Sequence, residues 1–198
     1  MQVHQGEMNS HKRRVYRTSI LTIVLLMAVT AGTEFVMGRR PWGIGGIPGL
    51  WSGNIRSEHN SQYFLDPYTF THVLHGVLLF ALVSLIFRNT PAITRLVIVT
   101  ALECGWEILE NTSFVIQRYR AETISLNYFG DSIFNSMGDI LACITGCTLA
   151  SRLPIRVTLM MTITIEVLLA VWIRDNLTLN LVMLIHPIRA IRMWQLGH

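Results

Sequence analysis

This sequence is poor in charge. Of its 198 residues only 14% are Asp, Glu, Lys or Arg, while 51% are hydrophobic. Soluble domains carry about 25% charged residues, so this chain calls for a non-aqueous solvent. Cysteine is scarce as well. Cys104, Cys143 and Cys147 all fall inside apolar stretches, no second pair completes a zinc pattern, and no disulfide framework is implied. Their reading is as small apolar packing residues. No phosphate-binding loop, dinucleotide fingerprint or nucleophile elbow occurs, and no cofactor is specified. The net charge of +4 does not describe a nucleic-acid reader, which would lay its cations along one soluble face. Here they stand at the ends of apolar runs, as in Lys12-Arg13-Arg14 with Arg17, where lipid headgroups lie.

What the sequence does have is long apolar runs. Five are expected to be transmembrane helices, at about 18–37, 70–87, 93–109, 132–150 and 155–173, each near the roughly 20 residues that span hydrocarbon. The first has a basic prefix like a signal peptide, but Glu34-Phe35-Val36-Met37 is a poor cleavage site. Residues 1–17 read as a basic cytoplasmic N-terminus, disordered or lying at the headgroups. Residues 38–68 and 112–131 read as polar loops, and 18–198 as a single transmembrane bundle domain. In 177–195, Leu177, Leu181, Leu184, Ile188 and Ile191 recur at helical spacing with Pro187 interrupting. That pattern predicts an amphipathic interfacial helix, with a short sixth span as the alternative. The fold class is therefore all-α, a polytopic helical bundle. With five spans, the N-terminus and the turns 88–95 and 151–156 share a side. That side holds Lys12, Arg13, Arg14, Arg17, Arg88, Arg95, Arg152 and Arg156, and neither turn contains an acid. The positive-inside rule then puts the N-terminus in the cytoplasm.

Parity brings the polar residues to the opposite level. His72 and His75 are three apart on the second span; Glu103, Glu107 and Glu110 form an i, i+4, i+7 stripe on the third; Asp131, Asn135 and Asp139 form an i, i+4, i+8 stripe on the fourth. Glu34 and the run Arg174-Asp175-Asn176 arrive at the same level, and Glu166 lies deeper. A charge facing lipid costs roughly 3 kcal/mol even on lenient scales, so the stripes are expected to turn inward and meet. Such a cluster either holds the bundle in register or forms an outward-facing site, with Arg118, Arg120 or Arg174 balancing its charge. A site of this kind suits an amphipathic or lipid-linked ligand, a phosphate headgroup matching the arginines and a Glu and a His acting in acid–base roles. A divalent metal is another occupant, although the Glu-x-x-His spacing of carboxylate-bridged bundles is absent. A small transporter, a proton-coupled protein or a structural subunit are the alternatives. Beside the polar stripe, Gly138, Ala142, Gly146 and Ala150 form a small-residue stripe for close helix approach.

Several motifs carry a resemblance: Asp66-Pro67-Tyr68-Thr69-Phe70-Thr71-His72-Val73-Leu74-His75-Gly76, Trp106-Glu107-Ile108-Leu109-Glu110-Asn111-Thr112, Arg118-Tyr119-Arg120, Tyr128-Phe129-Gly130-Asp131-Ser132, and Ile173-Arg174-Asp175-Asn176-Leu177-Thr178-Leu179-Asn180. From about residue 20 to 195 the chain resembles a bacterial membrane-protein family, uncharacterised protein family 0314, also called domain of unknown function 2585. The resemblance implies a multi-pass inner-membrane protein and supplies no activity. Members tend to carry Cys-x-Cys-Gly before the loop tryptophan, where this chain reads Trp42-Gly43-Ile44-Gly45-Gly46-Ile47. A looser, architectural likeness is to VanZ-like membrane proteins, through His75, Glu103 or Glu107, Asp131 and Asn135.

Overall fold

The computed structural model describes residues 2–43, 45–125 and 127–197, with side chains from Lys12 onward. Met1 of the N-terminal segment and Ile44 and Leu126 of the two loops lie outside the described residues. Eight helices and no strand occur among those described: α1 (Gln2–Val36), α2 (Thr69–Ile86), α3 (Ala92–Glu110), α4 (Ser113–Glu122), α5 (Ile133–Arg152), α6 (Ile155–Ile173), α7 (Leu177–Ile185) and α8 (Arg189–Leu196). Four of them, α1 over Lys12–Val36, α2, α5 and α6, are long and apolar enough to cross a membrane. Helix α3 is as long, but Arg95, Glu103, Glu107 and Glu110 give it a composition unlike theirs. Large apolar side chains are exposed along the outer faces, among them Leu21 and Leu25 of α1, Leu82 and Leu85 of α2, and Met160, Ile163 and Val171 of α6. Water would not tolerate so continuous an apolar surface; hydrocarbon would.

Local chemistry sets the helix ends. The Asp66 carboxylate accepts from the backbone N–H of Tyr68 (2.8 Å) and Thr69 (3.3 Å), while the Thr69 hydroxyl takes the Asp66 N–H (3.0 Å). This reciprocal cap starts α2. Pro91 and Pro154 stand immediately before α3 and α6, where a missing N–H costs nothing. Ser132 caps α5 by accepting from the Asn135 N–H at 3.1 Å.

The closest helix pair is α2 with α5, and α3 lies against both and against α1. A Cβ on Gly76 would run into the Cys143 carbonyl, and one on Gly146 into the Val73 carbonyl, so each helix presses a glycine onto the other's backbone. Gly138 meets the Phe64 carbonyl in the same way, letting residues 38–68 lie over the start of α5. That segment is pinned there by Ser132 N–H to Ser61 (2.9 Å), the Ser132 hydroxyl to the Gln62 carbonyl (2.8 Å) and the Asn135 amide to the Tyr63 carbonyl (2.8 Å). Cys143 and Cys147 are free thiols buried with Val83 and Val99, the packing role their positions suggest.

Three expectations need correction. Residues 2–17 are helical and continuous with the first span, because no proline interrupts Gln2–Val36 and side-chain polarity does not oppose a helix. The stretch 112–131 is not all loop: Thr112 caps α4 by accepting from the Val115 N–H at 3.4 Å. And 177–195 is not one helix, since it breaks at His186-Pro187 into α7 and α8, proline being unable to continue the hydrogen-bond ladder.

The glycine contacts give a direct prediction. Gly76→Ala and Gly146→Ala each force backbone apart and lower the thermal stability of the detergent-purified protein by roughly 1–3 kcal/mol. Gly105→Ala, with nothing within 4 Å of the added Cβ, leaves it unchanged or raised. Equal stability in all three variants would show that the glycines do not set the α2–α5 distance.

Candidate functional site

The centre of the polar cluster is Glu103 of α3. Its carboxylate meets Nδ1 of His72 at 2.6 Å and Nδ1 of His75 at 3.1 and 3.2 Å. Two histidines one helical turn apart thus share one buried carboxylate. Glu107, one turn along α3, comes within 3.3 Å of His72 Nδ1, yet both its oxygens lack a hydrogen-bond partner among the described residues. On the far side Asp139 of α5 lies 4.0 Å from His72 Nε2, and its Oδ1 is also unpartnered. Glu34 of α1 is fully buried, and neither of its oxygens has a hydrogen-bond partner among the described residues. His72 of α2, Glu103 and Glu107 of α3, and Asp139 of α5 thus come together inside the bundle.

A second group adjoins the first through Glu107. Oxygens of Glu107, Glu110 and Asp131 lie within 4.8 Å of one another. Asp131 accepts from the Tyr128 hydroxyl (2.6 Å) and the Asn111 amide (3.2 Å), and its N–H donates back to Asn111 Oδ1 (2.8 Å). A third group gathers on Asp175, which accepts from the Tyr68 hydroxyl (3.1 Å), the Gln195 amide (3.0 Å), the Asn180 amide (3.4 Å) and the Asn176 N–H (3.0 Å). It joins the start of α2 to α7 and α8. Burial pushes the carboxyls of Asp131 and Asp175, both outside the apolar spans, up to about 6, against an ordinary value near 3.8.

A cavity of about 1040 Å³ connects these groups. His72, His75, Glu110, Asp131, Asn135 and Asp139 line it, whereas Glu103 and Glu107 stand behind the histidines. Arg174 lines it too, with Nη1 donating to the Trp194 carbonyl at 3.2 Å. Of the other arginines expected to balance charge, Arg118 instead donates to the carbonyls of Leu184 (2.9 Å) and Ile185 (3.3 Å) at the end of α7, and Arg120 is exposed on α4. Neither lines the cavity; Arg56 does. Asn176 caps α7, accepting from the Leu179 N–H at 2.8 Å. Glu166 serves that same helix end, accepting from the N–H groups of Leu177 (3.0 Å) and Thr178 (3.2 Å). Helical spacing alone does not reach Asp66, Tyr68, Asn111 and Tyr128, which stand at helix ends and in loops. The signal that points to them is their place in the long polar motifs around the site.

Fold and site together define a chain, helical throughout the described residues that form regular elements, with four helices long and apolar enough to cross a membrane and a buried His/carboxylate cluster. The chain belongs to the bacterial family described as "Protein of unknown function (DUF2585)", which it matches over residues 34–197. It is 42% identical over the full length of both chains to a UPF0314 protein, R03235, of Rhizobium meliloti. A UPF0314 protein of Sinorhizobium fredii, NGR_c32320, is 46% identical over 87% of each chain. One from Sphingopyxis alaskensis is 38% identical over 92% of this chain and 97% of its own. No solved structure matches the chain.

The raised Asp131 carboxyl predicts a pH effect with a definite sign. The folded protein holds this proton up to about pH 6, whereas the unfolded chain releases it near its ordinary value. The stability so gained is full below pH 3.8 and is lost as pH rises through about 6. Asp131→Asn, which does not titrate, therefore shows a smaller fall in Tm between pH 4 and 7 than the parent in thermal unfolding. Parallel curves for the two proteins would contradict this.

Proposed function

We propose that this chain is a polytopic protein of the bacterial inner membrane whose cavity receives an amphipathic or lipid-linked ligand. In this reading residues 18–198 form one bundle in which α1, α2, α3, α5 and α6 cross the bilayer, with the N-terminus in the cytoplasm and the cavity on the opposite face. Helix α3 qualifies as a span because its acids turn onto α2 and α5 while Leu102 and Leu109 stay exposed on its outside. At nine and eight residues, α7 and α8 reach only about 14 and 12 Å, well short of the roughly 30 Å hydrocarbon layer. They are interfacial, and there is no sixth span.

The carrying observation is the carboxylate shared by His72 and His75 at the cavity wall. Glu103 takes Nδ1 of His75 and leaves its Nε2 without a partner among the described residues, so His75 is positioned as a general base or acid toward whatever enters. Arg56 and Arg174 suit an anionic headgroup such as phosphate, and Trp106, Trp172, Leu177 and Leu181 supply the apolar part of the wall. Two cavity residues other than glycine, Ser61 and Arg174, hold positive φ values of 61° and 54°; strain of this kind gathers at binding sites. Asp66, Asn135 and Asp175 serve the scaffold by joining segments. The ligand reading rests on His75, Glu103 and the arginines.

The test is a lipid profile of a deletion strain complemented with parent or His75→Ala protein, with membrane yield measured separately. The expected outcome is a lipid or lipid-linked species that accumulates or disappears on deletion, is restored by the parent, and is not restored by His75→Ala made at normal yield. An unchanged profile, or full restoration by His75→Ala, would favour a transport or purely structural role.

A further inference from the structure

We infer that His72, Glu107 and Asp139 form a site for one divalent transition-metal ion of the zinc or manganese class. Each residue comes from a different helix, α2, α3 and α5, and each offers a ligand atom within 4.8 Å of the other two. Glu107 and Asp139 are 1% and 4% exposed. Both oxygens of Glu107 and one of Asp139 have no hydrogen-bond partner among the described residues. Buried carboxylate oxygens left without partners are costly, and a doubly charged cation between them removes that cost. His72 is already arranged as such a ligand. Its Nδ1 lies 2.6 Å from Glu103 and 3.3 Å from Glu107; a carboxylate–histidine contact of this kind fixes the imidazole tautomer in metal sites and leaves Nε2 to ligate. That Nε2 is 4.0 Å from Asp139 Oδ2. Two atoms each bonded to one ion at about 2.0–2.2 Å stand roughly 3–4.4 Å apart, so the pair needs no helix movement to share one.

Two neighbouring trios meet the same distance requirement, His72 with His75 and Glu103, and Glu107 with Glu110 and Asp131. In each a carboxylate is already engaged: Glu103 by both histidines, and Asp131 by Tyr128 and Asn111. Only the middle trio joins an imidazole to two carboxylates. One imidazole and two carboxylates favour zinc or manganese over magnesium or calcium, which prefer oxygen alone, and over copper(I), which prefers sulfur. Because His72 and Asp139 line the cavity while Glu107 stands behind, the remaining coordination positions face the cavity, as in metal sites that take an exogenous oxygen ligand.

The test uses the full chain purified in detergent through a removable tag, stripped with chelator and dialysed against zinc or manganese without added lipid. The site shares the cavity of the proposed function but not its ligand, so failure here leaves the lipid-profile experiment to decide that reading. Elemental analysis is expected to return about one ion per chain, and reloading raises the Tm of the stripped parent. Asp139→Asn and Glu107→Gln lose the ion, and Glu110→Gln keeps it. Because the first two variants can fold poorly, the parent itself carries the decision: no stoichiometric uptake, or uptake without a Tm change, overturns the site. Loss of the ion in Glu110→Gln with retention in Asp139→Asn would also overturn it by placing the metal at the Glu107, Glu110 and Asp131 trio.

Discussion

A buried carboxylate has no water to hydrogen-bond inside an apolar bundle, and in this protein Glu103 meets that constraint by facing two imidazoles at once. Much else follows from that contact. His72 and His75 reach Glu103 only if α2 and α3 cross at this level, and Asp139 approaches His72 only if α5 lies tight against α2. The second condition explains the glycines: Gly76 and Gly146 let each helix rest on the other's carbonyls, an approach that larger residues would prevent. The polar centre and the small-residue seam are two parts of one packing solution, one supplying the interaction and the other the proximity.

Much of this arrangement is legible in the amino-acid sequence because helical geometry is periodic. The spacing of His72 and His75, and of Glu103 with Glu107, fixes a face on each helix. The cost of charge in hydrocarbon then turns those faces together, and span parity sets a shared depth. The helix ends at Pro91, Ser132 and Pro154 are equally readable, since proline and capping residues act locally. What spacing does not resolve is which acceptor each group finds. Nothing in an i, i+4 pattern says that Asn135 turns to the Tyr63 carbonyl, that Arg118 grips the end of α7, or that Glu166 caps α7 from α6. These are tertiary contacts between segments far apart in the chain. Helix α4 is missed because ten residues of mixed polarity carry little periodic signal, and its cap, Thr112, follows α3 almost directly.

The same contacts divide the polar residues by task. Asp66, Asn135, Asp131 and Asp175 are hydrogen-bonded across segments and tie the loop 38–68, the 127–131 stretch and the C-terminal helices to the bundle. Glu34, Glu107 and Asp139 are not satisfied in this way. A scaffold gains nothing from burying carboxylate oxygens without partners, a cost that the proposed cation would remove for Glu107 and Asp139. Relatives 38–46% identical over most of the chain place the same overall sequence in several bacterial genera.

The central claim is that the polar stripes of α2 and α3 are energetically joined through His72 and Glu103, and a double-mutant cycle measures that directly. Thermal unfolding of the detergent-purified parent, His72→Ala, Glu103→Gln and the double variant should give a coupling of about 0.5–3 kcal/mol, the double variant being little worse than the worse single one. Strictly additive losses would show that the two residues do not interact, and the convergent site built on them would fall.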